Sequence, residues 1–438
     1  MAADVRAGDV GLDQELTIFA QSGGALPAAI AVVRISGPRA FAVGEALCGA
    51  LPLPRMAKFR SLRDPTSGEL LDRALVLTFP GPATATGEDV VELHCHGSRA
   101  VMASLERVLA AQPGCRRTEP GESTRRALGN GVIDLTQAEA LGDLLQAETE
   151  TQRRVALRAS EGALGQAIAR WQAVLVQQAA RIEAALAFED EAEVSAHDAF
   201  DADAVAQVHD ELRAMLSTPP VERVRDGIRV VLAGPPNAGK STLLNALAAR
   251  DAAIVSPHAG TTRDRIEVPV QRSGVFYVLI DTAGLRDTVD EIEAVGVARA
   301  TEAVSQADIV LWLGDEHPPA DVARVVVLHA RSDLESRYPQ VGRMPVSAKT
   351  GAGIATLWDR IASEASSLLP AESAIALNHR QRNLVAHASI ALEDVGSTNL
   401  VVAAEAMRVA LRAFDRITGR AGVEDVIDAL FATFCLGK

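Results

Sequence analysis

Gly234-Pro235-Pro236-Asn237-Ala238-Gly239-Lys240-Ser241 carries the spacing G-x-x-x-x-G-K-S. It follows an apolar run, Ile228–Ala233, and opens a helix-forming stretch, Thr242–Ala249. That strand–loop–helix setting is what gives the motif its meaning. Glycines let successive backbone N–H groups close around phosphate oxygens, and the helix N-terminus adds a favourable dipole. Lys240 is expected to reach the β- and γ-phosphates of a nucleotide, and Ser241 to ligate Mg²⁺. Asn237, Ala238, Gly239 and Thr242 complete the candidate phosphate-binding set.

Outward from this loop, Val275–Ile280, Ile309–Leu313 and Val325–Leu328 are further β-branched runs separated by helix-length segments. This predicts a parallel sheet with helical crossovers, an α/β unit ending near Leu369. Three companions appear in the order a GTP-binding domain requires. Asp281-Thr282-Ala283-Gly284 ends one strand, its carboxylate suited to hold Mg²⁺ through water and its Gly284 amide to meet the γ-phosphate. Ala259-Gly-Thr261-Thr262-Arg-Asp264 offers Thr262 as a second hydroxyl for the metal. Asp333, followed by Ser347-Ala348-Lys349, reads the base: its carboxylate accepts the N1–H and 2-amino hydrogens of guanine, a donor pair adenine lacks.

One departure stands out. GTPases usually carry Asn-Lys-x-Asp at the base-reading position, and this chain has Ala330-Arg331-Ser332-Asp333. Ala330 has no side-chain amide with which to tether the base and its neighbouring loops. Losing one or two hydrogen bonds costs on the order of 1–3 kcal/mol, so weaker GTP affinity and softer purine discrimination are expected. For hydrolysis, Leu285 occupies the place where small GTPases often carry a water-orienting Gln. A substitute is expected among Asp287, Asp290, Glu291 and Glu293, and an amide oxygen at Asn237 suits a monovalent cation beside the phosphates.

The rest of the chain changes character along its length. Up to about residue 120, short apolar runs at Ala29–Ile35, Ala74–Phe79 and Val90–His94 predict strands of an α+β module. From Leu135 the pattern is helical, with Leu164, Ile168, Trp171, Leu175 and Ile182 on one face. Pro219-Pro220 interrupts it; after Pro370 helices return, with Leu400, Ala404, Met407, Leu411 and Phe414 as a stripe. The economical reading is one helical domain with the α/β unit inserted into it. His94-Cys95-His96 is not read as a zinc site, because on a strand the thiol points away from the two imidazoles and no second ligand pair follows.

The 438 residues are 48% hydrophobic and 23% charged, with a net charge of −14 and 3% aromatics. An acidic chain poor in aromatics has neither the field nor the stacking surface for unaided nucleic-acid binding, so any RNA is expected to be held largely by a partner. No run approaches the roughly 18 apolar residues of a membrane span. The first twenty residues lack the basic start and apolar run of a secretory leader, and four scattered cysteines do not form a disulfide framework. A reducing cytoplasm and no membrane are the expected setting.

Beyond the phosphate loop, Ala31-Val-Val-Arg34-Ile-Ser-Gly37, Thr86-Gly-Glu-Asp-Val-Val-Glu92-Leu-His94, Pro120-Gly-Glu122, Asp134-Leu-Thr-Gln-Ala-Glu-Ala140, Asp281-Thr-Ala-Gly-Leu-Arg286 and the terminal Phe434-Cys435-Leu-Gly-Lys438 mark the chain. In these residues it resembles, nearly end to end, the MnmE (TrmE) family of tRNA modification GTPases. The resemblance implies a multidomain α+β and α/β fold: an N-terminal α+β tetrahydrofolate-binding and dimerisation domain over 1–120, a helical bundle from 121–222 and 371–438, and an inserted Ras-like P-loop GTPase domain over 223–370. It implies a homodimer that works with the flavoprotein MnmG (GidA) to add an aminomethyl or carboxymethylaminomethyl group to C5 of the wobble uridine of certain tRNAs. A 5-formyl- or 5,10-methylene-tetrahydrofolate would supply the one-carbon unit, and GTP hydrolysis would be activated by K⁺.

Carried over by position, the resemblance makes Asn237 a K⁺ ligand with Ser256, His258 and Thr261, Ser241 and Thr262 the Mg²⁺ ligands, and Glu293 the residue that orients water. Ser256 and Thr261 also join the GTP-binding set. Arg34, Glu92 and Lys438 match folate contacts. Cys435 is read either as a thiol for one-carbon chemistry or as a buried tail residue. Two positions depart from the family: Val132 replaces a lysine, and Leu26-Pro27-Ala28 replaces Gly-Arg-Gly before the first strand, so altered folate binding is expected. The rival readings are a non-catalytic GTP-dependent switch in ribosome assembly and a nucleotide-binding relic. The first leaves the N-terminal motifs unexplained, and the second conflicts with the intact phosphate and Mg²⁺ residues.

Overall fold

The computed structural model describes residues 15–187, 200–249, 266–282, 302–318, 324–338, 340–371, 374–393, 395, 399–421, 424–431 and 434. Contacts divide the chain into two compact units. The first takes in the described residues of Met1–Gly142, Ser160–Ala173 and Leu411–Lys438, the second those of Asp143–Ala159 and Val174–Ala410.

The first unit is built on six strands: β1 (Thr17–Gln21), β2 (Ala28–Ser36), β3 (Lys58–Arg63), β4 (Leu70–Phe79), β5 (Val90–Gly97) and β6 (Cys115–Arg117), in the order β3-β4-β5-β2-β1-β6. All pairs are antiparallel except β1 with β6. Period-two alternation turns Val33, Ile35, Val76, Val91 and Leu93 inward, onto Val43 and Leu47 of the helix Ala40–Cys48 and Met102 and Leu105 of the helix Arg99–Ala110. The second of these helices starts where the Ser98 side chain accepts the Val101 N–H, a cap that satisfies one orphan donor. β2, β4 and β5 appear where the apolar runs predict them. β1, β3 and β6 do not announce themselves, being short or, as in Lys58-Phe-Arg-Ser-Leu-Arg63, half charged. Leu26-Pro27-Ala28 therefore joins β1 to β2 and does not precede the first strand.

A charged network closes this unit. Arg126 is fully buried, and its guanidinium donates to Glu88 Oε1 at 2.9 Å, Glu122 Oε1 at 3.1 Å and the Leu16 carbonyl at 3.0 Å. Arg116 grips both Glu122 oxygens, at 2.7 and 2.8 Å. Burial pushes the Glu122 carboxyl upward, but these donors and the Glu119 N–H outweigh it, and it lies below the ordinary value. The helix Leu135–Gln146 opens on a reciprocal cap, Gln137 N–H to Asp134 and Asp134 N–H to Gln137. Its Leu135 and Ala138 pack on Ile427, Phe431 and Phe434, and Trp171 meets Phe414 with ring centroids 5.6 Å apart.

The second unit holds β7 (Ile228–Ala233), β8 (Ile266–Arg272), β9 (Val275–Asp281), β10 (Ile309–Trp312), β11 (Val325–Ala330) and β12 (Met344–Val346), in the order β12-β11-β10-β7-β9-β8. Every pair is parallel except β8 with β9, so the predicted parallel sheet gains one antiparallel edge strand. Leu243, Leu244 and Leu247 of the helix Lys240–Ala248 and Leu357, Trp358 and Ile361 of the helix Ile354–Ser366 pack on Val230, Leu232, Leu279 and Leu311. The helices Glu150–Ser160, Ala202–Ser217 and His379–Leu392 also belong here. The stripe Leu164, Ile168, Trp171, Leu175 and Ile182 is buried throughout, as its spacing predicts. No described helix is long and apolar enough to cross a membrane.

Candidate functional site

The phosphate loop leaves the C-terminal end of β7 at the centre of its sheet, where a parallel arrangement leaves a crevice. Two glycines make its path. Gly234 has φ +142°, and a Cβ there would lie 3.0 Å from the Gly314 nitrogen; Gly239, with φ +96°, caps the helix Lys240–Ala248. Asn237 takes a left-handed φ of +59°, which its short polar side chain tolerates. Lys240 is buried, and its ammonium donates to the carbonyls of Gly234 at 3.0 Å and Pro235 at 2.9 Å. The loop thus fixes its lysine across its own mouth.

At the same edge, the Ser241 hydroxyl donates to Oδ2 of Asp281. Thr282 donates to the Leu232 carbonyl at 2.9 Å and pins the end of β9 to β7. A hydroxyl and a carboxylate in contact are hard oxygen donors, which suits Mg²⁺ held mainly by phosphate and water. Among the described residues no cluster of three or more His, Cys, Asp or Glu gathers into a metal site.

A cavity of about 280 Å³ opens beside the loop. Ala238, Leu243, Ala330, Val346 and Ala348 give it apolar walls, and Thr242, Asp333 and Lys349 bring polar side chains. Ser347, fully buried just after β12, donates to Asp333 Oδ1 at 2.6 Å. This hydrogen bond, with Lys349 and Arg331 nearby, holds the Asp333 carboxyl below its ordinary value. The site is a pocket lined in part by a carboxylate that a neighbouring hydroxyl holds. Leu243, Leu334 and Val346 were not foreseen as walls; as ordinary core-type residues they carry no motif, and only the fold brings them here.

The structure therefore brings together Asn237, Ala238, Gly239, Lys240, Ser241, Thr242, Asp281 and Thr282 at the glycine loop and the end of β9, and Asp333, Ser347, Ala348 and Lys349 at the cavity beside it. Ser256, His258, Thr261, Thr262, Ala283, Gly284, Glu293, Cys435 and Lys438 lie outside the described residues.

In the other unit, Arg34 and Glu92 face each other across β2 and β5. Arg34 Nε and Nη2 donate to Glu92 Oε1 at 3.1 and 2.8 Å, while Glu92 Oε2 meets His94 Nε2 at 3.2 Å. Burial works to raise the Glu92 carboxyl, yet the Arg34 and His94 bonds leave it below the ordinary value. Of the roughly four acceptor sites on a carboxylate, these three contacts leave one open. His96 is engaged separately, with Asp72 Oδ1 at 2.8 Å. The Cys95 thiol is buried away from both imidazoles, which pushes it up to about 12.

Known proteins bear on these sites. A family model described as the MnmE helical domain matches residues 135–435, and one described as the GTP-binding protein TrmE N-terminus matches 17–132. A tRNA modification GTPase MnmE of Erythrobacter litoralis is 51% identical over 96% of this chain and 100% of its own length. Its counterparts in Rhizorhabdus wittichii and Zymomonas mobilis are 50% and 48% identical, each over 96% of this chain and over 96% and 100% of themselves. Half of the residues are thus shared along almost the whole length, with a family model over each site described above, and the chain belongs to the MnmE family of tRNA modification GTPases.

Proposed function

We propose that the chain binds GTP with Mg²⁺ and hydrolyses it, and that this turnover serves tRNA modification. One observation carries the reading: a lysine, a hydroxyl–carboxylate pair and a base-sized cavity with an ionised carboxylate lie along one edge of one sheet. In it Lys240 neutralises the phosphate tail, Ser241 and Asp281 hold the metal, and Asp333 selects guanine by accepting two hydrogens. Mg²⁺, when bound, supplies charge neutralisation at the phosphate oxygens. Thr262 joins the metal set, Asn237 with Ser256, His258 and Thr261 holds K⁺, and Glu293 orients the hydrolytic water. Ala283 and Gly284 complete the phosphate contacts.

The finer role is the addition of an aminomethyl or carboxymethylaminomethyl group to C5 of the wobble uridine, together with MnmG and in the cytoplasm. The acidic charge of −14 supports a division of labour in which the partner holds most of the tRNA. The N-terminal unit supports folate binding by Arg34, Glu92 and Lys438 and pairing into a homodimer. The sheet face that carries Arg34 and Glu92 also exposes Ile30, Phe59 and Leu75, the first two by more than 60%, and such a face favours being covered. The domain division follows the family reading: 1–120 for folate and dimerisation, 121–222 with 371–438 helical, 223–370 for GTP.

Phosphate release by the full chain with Mg²⁺ tests the core of this. K⁺-dependent turnover is expected; no turnover with either K⁺ or Na⁺ overturns hydrolysis and favours a nucleotide-binding relic, and equal rates in both salts overturn the K⁺ site and favour a simple switch. Wobble-position nucleosides from cells lacking the gene should lose the C5 substituent, and an unchanged profile would remove the tRNA role.

A further inference from the structure

Gly234-Pro235-Pro236 opens the phosphate loop, and neither proline has an N–H with which to anchor it. A close approach backs this half of the loop. A Cβ on Gly234 would lie 3.0 Å from the Gly314 nitrogen, and a Cβ on Gly314 would lie 3.0 Å from Pro235 Cδ and from the Trp312 ring. Gly314-Asp315-Glu316, the segment after β10, is thus wedged against the two residues whose carbonyls receive the Lys240 ammonium. Arg343, just ahead of β12, fixes that segment from two strands away. Its Nη1 donates to the Gly314 carbonyl, and its Nη2 to the carbonyls of Asp315 at 2.6 Å and Glu316 at 3.3 Å. Trp312 Nε1 donates to the same Glu316 carbonyl at 2.8 Å, and Arg337 pairs with the Asp315 carboxylate.

We infer that Arg343 is a positioning residue for the phosphate loop: it gathers three consecutive carbonyls, holds Gly314 against Gly234-Pro235, and so keeps in place the carbonyl pair that aims Lys240. This rests on the guanine-nucleotide reading above. Three carbonyls turned toward one point repel one another unless a cation with several donors lies among them. A planar guanidinium carries five N–H donors in a fixed fork, whereas an ammonium is a point charge with three. Arg343 is not among the residues that line the cavity, so its effect on a nucleotide runs through Gly314. The two prolines make that path matter, because a loop half without their backbone donors depends on the surface it leans on.

The test uses Arg343→Ala in the full chain, read in two ways. In nucleotide-free protein, hydrogen exchange of the Ala238–Ser241 amides should quicken about tenfold or more while that of β9 stays unchanged. With Mg²⁺ present, the dissociation constant of fluorescently labelled GDP should rise about tenfold, the loss typical of a charge-assisted hydrogen bond. Arg343→Lys, which keeps a charge and fewer donors, should recover part of both. Gly314→Ala drives a methyl at Pro235 and Trp312 and should weaken GDP as well. Combined with Arg343→Ala it should cost less than the product of the two effects, because both act through one contact. GDP affinity of Arg343→Ala within about threefold of the parent, unchanged loop exchange, or effects that simply multiply overturn the positioning role. Exchange that rises equally in β9 overturns it too, as a general loss of fold. A parent that binds no GDP sinks the guanine-nucleotide reading instead, and the exchange measurement then still decides whether Arg343 holds the loop.

Discussion

Ser347 Oγ donates to Asp333 Oδ1 at 2.6 Å from a position with no solvent exposure. The same oxygen accepts the Thr350 N–H at 3.1 Å, so the hydroxyl is fixed by the turn that follows β12 and cannot rotate away. One Asp333 oxygen is thereby occupied, and this bond helps to hold the carboxyl below its ordinary value. Replacing the hydroxyl by Ser347→Ala should weaken guanine-nucleotide binding by about 1–2 kcal/mol, roughly five- to thirtyfold, with the phosphate contacts intact. Titration calorimetry with GDP checks this; unchanged affinity would mean that Asp333 does not face the base.

Asp333→Asn inverts part of the hydrogen-bond pattern. The carboxylate offers only acceptors, whereas an amide offers one acceptor and two donors. Guanine, whose ring edge presents two donors, should lose on the order of 100-fold in affinity, and xanthine, with an oxo group in place of the amino group, should gain relative to it. Parallel competition by the two nucleoside diphosphates reads the exchange.

Arg126→Met leaves Glu88 and Glu122 without a buried cation while keeping much of the side-chain volume. Arg116 still grips Glu122, so the larger penalty falls on Glu88, which keeps the Ser36 hydroxyl as its main donor. Breaking a buried pair from one side costs about 3–5 kcal/mol. Hydrogen exchange of β2 and β5 should accelerate in step, with exchange of β7 and β10 unchanged.

Acid should act on this network and on the separate Arg34–Glu92 pair. Glu92 and Glu122 both lie below their ordinary value of 4.5 in the folded chain. A depressed carboxyl stabilises the fold fully above its unfolded value, and that contribution is lost as pH falls through the folded value. The N-terminal unit should therefore hold its thermal stability from neutral pH to about 5 and lose it progressively below about 4.5, and Arg126→Met should flatten that slope. Melting temperatures followed across pH 3–7 would reveal it; a slope centred near 6 would point to histidine instead.

These outcomes separate what the residues announce from what the fold adds. The strands β7, β9, β10 and β11 lie where the β-branched runs predict, because strands buried on both faces must be apolar throughout. The phosphate loop was legible for a related reason: its glycines answer a local steric demand that few other residues meet. By contrast β1, β3, β6 and β8 are short, half-charged or at an edge, and their pairing is decided by partners far away in sequence.

The sequence by itself determined the chemistry available: a lysine and a serine behind a glycine turn, two aspartates at strand ends, and an arginine and a glutamate in two strand-forming runs. Only the tertiary structure decided which of them meet. Arg34 faces Glu92 because β2 and β5 pair in one register and no other, and a shift of one residue would turn the two to opposite faces. Arg331 reaches Asn237 because β11 and the phosphate loop end on the same edge of the second sheet. Side-chain identity is a local property of the chain, whereas proximity across 58 or 94 residues is set by strand order and register, which backbone hydrogen bonding and core packing fix together.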